Sequence, residues 1–296
     1  MTSPDAVPAL PLTGERTVPG VPEENYWFRR HEAVYEAVLR RCVDSAGSAD
    51  SVGGAHTPDS AHSAHSAHRA GATVLEAGCG EGYGADLLAG VASTVIALDY
   101  DEATVAHVRR RYSVVEVLRG NLAALPIRSG SIDMVVNLQV IEHLWDQPRF
   151  LAECLRVLRP AGTLVVSTPN RITFSPGRDT PLNPFHTREL AAGELADLLR
   201  EAGFTVDRLA GLHHGPRLAE LDAAHGGSLI GAQERVVLGH LPGQAIWPAD
   251  LLADVVSVRA NDFVIRDENV DDSLDLVAVA TKPVARSDEP AGGGHV

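Results

Sequence analysis

From residue 73 onward, short apolar runs alternate with stretches whose apolar positions recur every three or four residues. TVLEA (73–77), TVIALD (94–99), VVEVL (114–118), IDMVVNL (132–138), TLVVSTP (163–169), FTVDRLA (204–210) and LDLVAVA (274–280) each read as a strand. Between them the spacing predicts helices: after a glycine-rich turn through Leu87 and Leu88, over DEATVAHVRRRY, over PRFLAECLRVL, and over about 187–202. Strands alternating with helices over about 130 residues predict a mostly parallel sheet with helices on both faces.

The flanks differ in kind. Residues 1–43 read as a proline-rich extended arm followed by an amphipathic helix, with Trp27, Val34, Val38 and Cys42 near one stripe. Residues 44–72 are mostly Ser, Ala, Gly and His with almost no large apolar side chain, including an A-H-S triplet that recurs at His62 and His65 and runs on to His68. Such a segment cannot bury enough surface to offset its ordering entropy and is expected to be a disordered insertion. Residues 73–282 form the core, with 211–262 as a cap-like segment holding helical patches near Arg217–Ala224 and Ala249–Val256. Residues 283–296 are expected to be a disordered tail.

Of the 296 residues 39 are acidic and 25 basic, giving 25 − 39 = −14. That balance argues against nucleic-acid partners and anionic membrane surfaces, which need a cationic footprint. Cys42, Cys79 and Cys154 lie far apart with no C-x-x-C spacing, which fits a reducing cytoplasm better than a disulfide or structural zinc framework. The N-terminus lacks the apolar run of a signal peptide, and no stretch is apolar for the ~18 residues a membrane span needs.

The turn after the first strand is Glu76-Ala77-Gly78-Cys79-Gly80-Glu81-Gly82-Tyr83-Gly84. A dinucleotide fingerprint would need glycine where Tyr83 stands. A phosphate loop needs a lysine, and Lys282 is the only one in the chain. What remains is E-x-G-x-G-x-G, with no Arg or Lys between Ala72 and Val108. This setting tolerates a zwitterionic or cationic ligand better than a pyrophosphate. Asp99 closes the second strand, where a carboxylate can accept both ribose hydroxyls of an adenosine ligand. Asp101 is the better candidate to cap the following helix, which leaves Asp99 for ligand.

V-L-E-A-G-C-G-E-G, A-L-D-Y, G-N-L-A-A-L-P-I, I-D-M-V-V-N-L-Q-V-I-E-H-L and L-R-P-A-G-T-L-V-V-S-T-P-N, in that order, closely resemble the successive motifs of class I S-adenosylmethionine-dependent methyltransferases over about residues 74–210. The resemblance implies an α/β, Rossmann-like, seven-stranded, mostly parallel sheet with helices on both faces and its last strand antiparallel. It places Glu76, Ala77, Gly78, Cys79 and Gly80 around the methionine part of the cofactor. Asp99 would hold the ribose, Tyr100 would pack on the adenine, and Leu122 would line the adenine pocket. Asn121 stands where the family usually has Asp; its side-chain oxygen can still accept the adenine amino hydrogen bond. Gln139 falls beside the methyl donor.

A neutral hydroxyl acceptor needs a base or a metal. His143, in the I-E-H segment, and His186, in NPFHTREL, are the catalytic candidates. The same segments resemble ubiquinone-pathway O-methyltransferases. They also resemble small-RNA 3′-end methyltransferases, in which E-x-x-E-H and a later His bind a divalent metal. Glu142, His143 and His186 match that set for Mg²⁺, whereas Gln139 replaces its first Glu. Against these roles stand structural ones: a Glu-His pair tying a loop end, and a His186 preceding a helix cap at Thr187. Arg30 could meet the methionine carboxylate or simply face solvent. The N-terminal GERTVPGVPEENYWFRRHEAVYE and NPFHTREL also look like actinobacterial methyltransferases of methylated-glucose polysaccharide synthesis, suggesting a saccharide or small-molecule acceptor. His213, His214, Trp247 and Tyr26 could line its groove, with core packing the alternative for Trp247. The expectation is therefore a cytoplasmic O-methyltransferase. Its rivals are a non-catalytic cofactor-binding relative and a small-molecule C- or N-methyltransferase. RNA 2′-O-methylation is disfavoured by the charge.

Overall fold

The computed structural model describes residue 10 and residues 16–49, 71–238 and 246–284. Helix α1 (Asn25–Ala49) precedes the alternating unit. There follow β1 (Thr73–Ala77), α2 (Tyr83–Ala89), β2 (Thr94–Asp99), α3 (Glu102–Arg111), β3 (Glu116–Arg119) and β4 (Ile132–Leu138). After these come α4 (Gln147–Val157), β5 (Leu158–Pro169), α5 (Arg171–Phe174), α6 (Ala192–Glu201) and β6 (Thr205–His214). The chain ends with α7 (Pro216–Ala224), α8 (Leu229–Leu238), α9 (Ala249–Ser257), β7 (Phe263–Arg266) and β8 (Asp275–Thr281). The expected insertion lies largely outside the described residues, although α1 runs into its first part, to Ala49. The tail from residue 285 also lies outside them.

One sheet carries the strands of the described residues in the order β3-β2-β1-β4-β5-β8-β6-β7. β1 to β5 pair in parallel, and β8 runs antiparallel between β5 and β6. Among the described residues there are eight strands rather than the seven expected, because Phe263–Arg266 adds an antiparallel edge to β6. Chain order reverses between β1 and β4. That reversal opens a crevice at their carboxyl ends, the usual ligand position in such sheets.

Alternation along the strands divides the core. Val74, Val136, Val165, Val277 and Val279 face one cluster with side chains of α1, α2, α8 and α9. Leu75, Val135, Leu164, Val166 and Ala278 face the other, with Phe150, Leu151 and Cys154 of α4 and Leu195 and Leu199 of α6. The period of two sends successive residues to opposite faces, and both faces are covered. Asp101 caps α3 by accepting from the N–H groups of Ala103 and Thr104, as its sequence position predicts. Helix α6 starts at Ala192 rather than near Thr187.

Candidate active site

Past Ala77 the backbone turns through Gly78, Gly80 and Gly82 at φ of 89°, 52° and 97°. These left-handed conformations favour glycine. The N–H groups of Gly78 and Cys79 both donate to the carbonyl of Leu98, at 2.8 and 3.0 Å, tying the turn to the end of β2. A Cβ on Gly78 would come within 2.7 Å of Val140, so this turn packs against the segment following β4. A Cβ on Gly80 would meet nothing within 4 Å. Its bare backbone borders a cavity of about 920 Å³.

The cavity wall brings together most of the residues expected to bind cofactor: Gly78, Cys79, Gly80, Asp99, Tyr100, Asn121, Leu122 and Gln139. Asp99 accepts the N–H of Gly80 at Oδ2 and of Asp101 at Oδ1, each at 3.0 Å. Each oxygen keeps a further lone pair. Burial raises the carboxyl above its ordinary value. Tyr100 is exposed at the mouth. Asn121 spends one lone pair of Oδ1 on the Ala123 N–H at 2.9 Å. Gln139 holds a positive φ of 56° and donates from Nε2 to Ser167 Oγ at 2.9 Å. A non-glycine residue in that conformation, at a crevice, is a mark of functional constraint.

Glu76 and Ala77 lie behind this wall, fully buried. Glu76 accepts the hydroxyl hydrogen of Tyr35 on Oε1, while its Oε2 is buried without a partner among the described residues. Burial pushes its pKa up to about 8. Tyr35 comes from α1, and with Arg16, Thr17 and His31 it completes the cavity from the N-terminal side. Arg16 donates to Thr104 Oγ1 at 2.8 Å and pairs loosely with Asp101. Thr17 and His31 meet the hydroxyl of Tyr83 at 3.2 Å. Burial holds His31 down to about 4, so it is neutral near pH 7. Sequence reasoning missed Arg16, Thr17 and Tyr35. The missing cation between Ala72 and Val108 was the available signal, since a ligand carboxylate would draw its partner from elsewhere in the chain.

His143 also lines the cavity, in a single 3-10 turn, Ile141–His143. Its Nδ1 lies 3.0 Å from the carbonyl of Phe185. A carbonyl only accepts, so the neutral ring carries its proton on Nδ1, and Nε2 is the basic nitrogen. His186 stands edge-on to His143 with ring centroids 4.8 Å apart. Its Nδ1–H donates to Glu189 at 2.7 Å, and its Nε2 accepts from Asn183 Nδ2 at 3.1 Å. Glu142 is buried, accepts the Thr168 hydroxyl at 2.9 Å, and is pushed up to about 8 by burial. The donor atoms of Glu142, His143 and His186 lie within 4.8 Å of one another. The three converge as the sequence predicts, but two imidazoles and one carboxylate are a poor match for Mg²⁺, which takes oxygen ligands. Both His186 nitrogens are moreover engaged within the protein. The set does not fit Mg²⁺.

Other expectations change. Arg30 neither faces solvent nor reaches the crevice; it is buried and paired with Asp275. Tyr26, His213 and His214 are not part of the wall of the cofactor cavity. His214 joins Tyr26 at 2.7 Å and Asp222 at 2.6 Å, and His213 is buried beside Arg266. Trp247 packs on the core.

Residues 75–166 match the profile of a family described as methyltransferase domain. A probable S-adenosylmethionine-dependent methyltransferase of Mycolicibacterium smegmatis is 58% identical over 288 residues, covering 96% of this chain and 100% of that protein. Another, from Mycobacterium tuberculosis, is 55% identical over 279 residues, covering 93% of this chain and 90% of its own. A ubiquinone biosynthesis O-methyltransferase of Thiobacillus denitrificans is 32% identical over 167 residues, covering 50% of this chain and 70% of that protein. The fold also matches the crystal structure of a Thermotoga maritima S-adenosylmethionine-dependent methyltransferase. There the TM-score is 0.50 and the identity 20%, covering 89% of this chain and 96% of that one. With its glycine turn, its Asp99 and near full-length similarity to the Mycolicibacterium smegmatis and Mycobacterium tuberculosis proteins, the chain belongs to the S-adenosylmethionine-dependent methyltransferases.

Proposed function

We propose that the chain is an O-methyltransferase acting in the cytoplasm on a hydroxyl of a sugar or another small molecule, with His143 receiving the hydroxyl proton. The observation that carries this reading is the Nδ1 contact of His143 with Phe185, which makes Nε2 the basic atom of a side chain lining the cofactor cavity. Similarity to a ubiquinone biosynthesis O-methyltransferase supports oxygen as the acceptor atom. The resemblance of the N-terminal and NPFHTREL segments to polysaccharide methyltransferases supports a saccharide. The charge of −14 weighs against a nucleic-acid acceptor. Three unpaired cysteines fit a reducing compartment.

The residues present fit S-adenosylmethionine. Gly80 leaves open the volume a side chain would fill, Asp99 keeps lone pairs for two hydroxyls, and the unpartnered Oε2 of Glu76 supplies an acceptor behind the turn. When bound, the cofactor supplies a methyl group already activated on a sulfonium sulfur. The chain's part is to align the hydroxyl, exclude water and take the proton on Nε2 as the new oxygen–carbon bond forms and the carbon–sulfur pair stays on sulfur. His186, oriented by Glu189, packs edge-on against the His143 ring. No magnesium step belongs to this reading.

The test is incubation with methyl-labelled cofactor and a polysaccharide extract or small hydroxylated acceptors. His143→Ala is expected to lower turnover by roughly 10²–10⁴-fold with cofactor affinity unchanged. Activity is expected to survive EDTA. An unaltered rate in the variant removes His143 as the base.

A further inference from the structure

Exposed aromatic rings are few in this protein, and they are not scattered. Among the described residues they are Tyr100, Trp145 and Phe185, with 70%, 93% and 45% of their surface exposed. Tyr100 and Trp145 line the same cavity, and the carbonyl of Phe185 holds His143. Tyr26, Phe150, Phe204 and Phe263, by contrast, are buried.

Trp145 sits two residues beyond His143 and immediately before Asp146, the cap of α4. Phe185 belongs to the long connection between β5 and α6. Two further contacts pin that connection against the His143 segment: the Thr187 N–H donates to the carbonyl of Glu142 and the Thr187 hydroxyl to that of Leu144, both at 2.7 Å. Trp145, two residues along the chain from His143, and Phe185, which meets His143 through its backbone carbonyl, therefore lie on adjacent, mutually anchored loops. Neither takes part in any ring stacking or cation contact found among the described residues. An indole left almost wholly in water at the edge of a binding cavity, with no packing role, marks a contact surface.

We infer that Trp145 and Phe185 form the platform that receives the methyl acceptor, and that the acceptor is a hydroxylated ring with an apolar face. This inference rests on the reading of His143 as the proton acceptor, which fixes where the reacting hydroxyl must sit. Exposed aromatic side chains at a cavity edge that also carries the polar His143 and Asp146 suit a ring that is apolar on its face and polar on its edge. A long acyl chain would need a continuous apolar wall. An anionic acceptor surface would be repelled by the net charge of −14. Aromatic and pyranose rings share the required chemistry.

The experiment is saturation-transfer NMR on the full chain with S-adenosylhomocysteine present, using catechol and methyl β-glucopyranoside as separate probes. At least one ring is expected to bind, and the one that does names the source. Trp145→Ala and Phe185→Ala are each expected to weaken that binding about tenfold, with calorimetric affinity for S-adenosylhomocysteine unchanged. His143→Ala is expected to keep ring binding while losing turnover. If it retains full turnover while Trp145→Ala still loses the ring, the base assignment fails and the platform stands. The inference is overturned if neither ring binds or if both aromatic variants bind as wild type does. It is equally overturned if Trp145→Ala weakens S-adenosylhomocysteine as much as the ring, or if the protein ignores both rings and sediments with phosphatidylglycerol vesicles.

Discussion

Arg30 meets Asp275 through two parallel contacts, Nε to Oδ2 at 2.6 Å and Nη2 to Oδ1 at 2.5 Å, with both side chains sealed from water. A third donation, from Nη2 to the carbonyl of Leu274 at 3.0 Å, completes the fork. The pair clamps α1 onto the start of β8, and α1 is the element that carries Tyr35 and His31 to the cofactor cavity. Removing one partner strands a buried charge, so Arg30→Ala is expected to lose about 3–5 kcal/mol. Removing both, as in Arg30→Met with Asp275→Leu, is expected to restore much of that. Urea midpoints of the three proteins check it, and a single variant as stable as wild type would reject the clamp.

Asp99 is committed to two backbone N–H groups, so its orientation is set before any ligand arrives. Asp99→Ala removes the carboxylate proposed to accept the ribose hydroxyls and frees the Gly80 and Asp101 amides together. Affinity for S-adenosylmethionine is expected to fall at least about tenfold, since hydrogen bonds to a charged group are worth roughly 1.5–3 kcal/mol. Calorimetry reads this directly, and an unchanged Kd would remove Asp99 from the site.

What could be read along the chain was local. The strands around the crevice declared themselves by apolar runs, and the split between Asp99 and Asp101 followed from which carboxylate stands one residue before the helix. Long-range pairings left no such trace: Arg30 and Asp275 are 245 positions apart, and Tyr35 and Glu76 are joined across two elements. Phe263–Arg266 is only four residues long and becomes a strand because β6 offers it an edge. Thr187 looked like a helix cap, but its hydroxyl is spent on the carbonyls of Glu142 and Leu144, so α6 begins later. Trp145 carried no pattern at all; its role is visible only as exposure.

Burial of Glu142 gives stability a definite pH dependence. Its pKa is about 8 in the folded chain, against 4.5 for a carboxyl in water. Between these values the unfolded chain releases a proton that the folded chain keeps. The contribution of Glu142 to stability therefore falls as pH rises from about 4.5 to about 8, then levels. Glu142→Gln removes that slope, and its amide oxygen can still accept from Thr168. The wild-type urea midpoint minus the variant's is expected to decline steadily across the window. Glu76, also pushed up to about 8, adds a slope of the same sign, and His31, held down to about 4, acts in the opposite direction below its ordinary value of 6.5; both are present in the two proteins and cancel. Parallel profiles would show Glu142 ionised at neutral pH.

Two glycines of the same turn are glycine for different reasons, and alanine separates them. At Gly84 a Cβ would overlap the ring and hydroxyl of Tyr35 and Oε1 of Glu76, which are buried and cannot retreat. Gly84→Ala is therefore expected to destabilise the fold by roughly 1–3 kcal/mol or more through overpacking, and to disturb the Tyr35–Glu76 contact with it. At Gly80 the added methyl meets no protein atom, and the φ of 52° taxes alanine by only about 1–2 kcal/mol. The methyl would instead occupy space on the cofactor side of the turn. Gly80→Ala is expected to fold cooperatively, with a modest loss of stability, and to bind S-adenosylmethionine at least tenfold more weakly by the usual cost of displacing a close backbone contact. Melting curves and calorimetry on the two variants distinguish the roles. A Gly80→Ala protein with wild-type cofactor affinity would mean that the turn does not touch the cofactor at all.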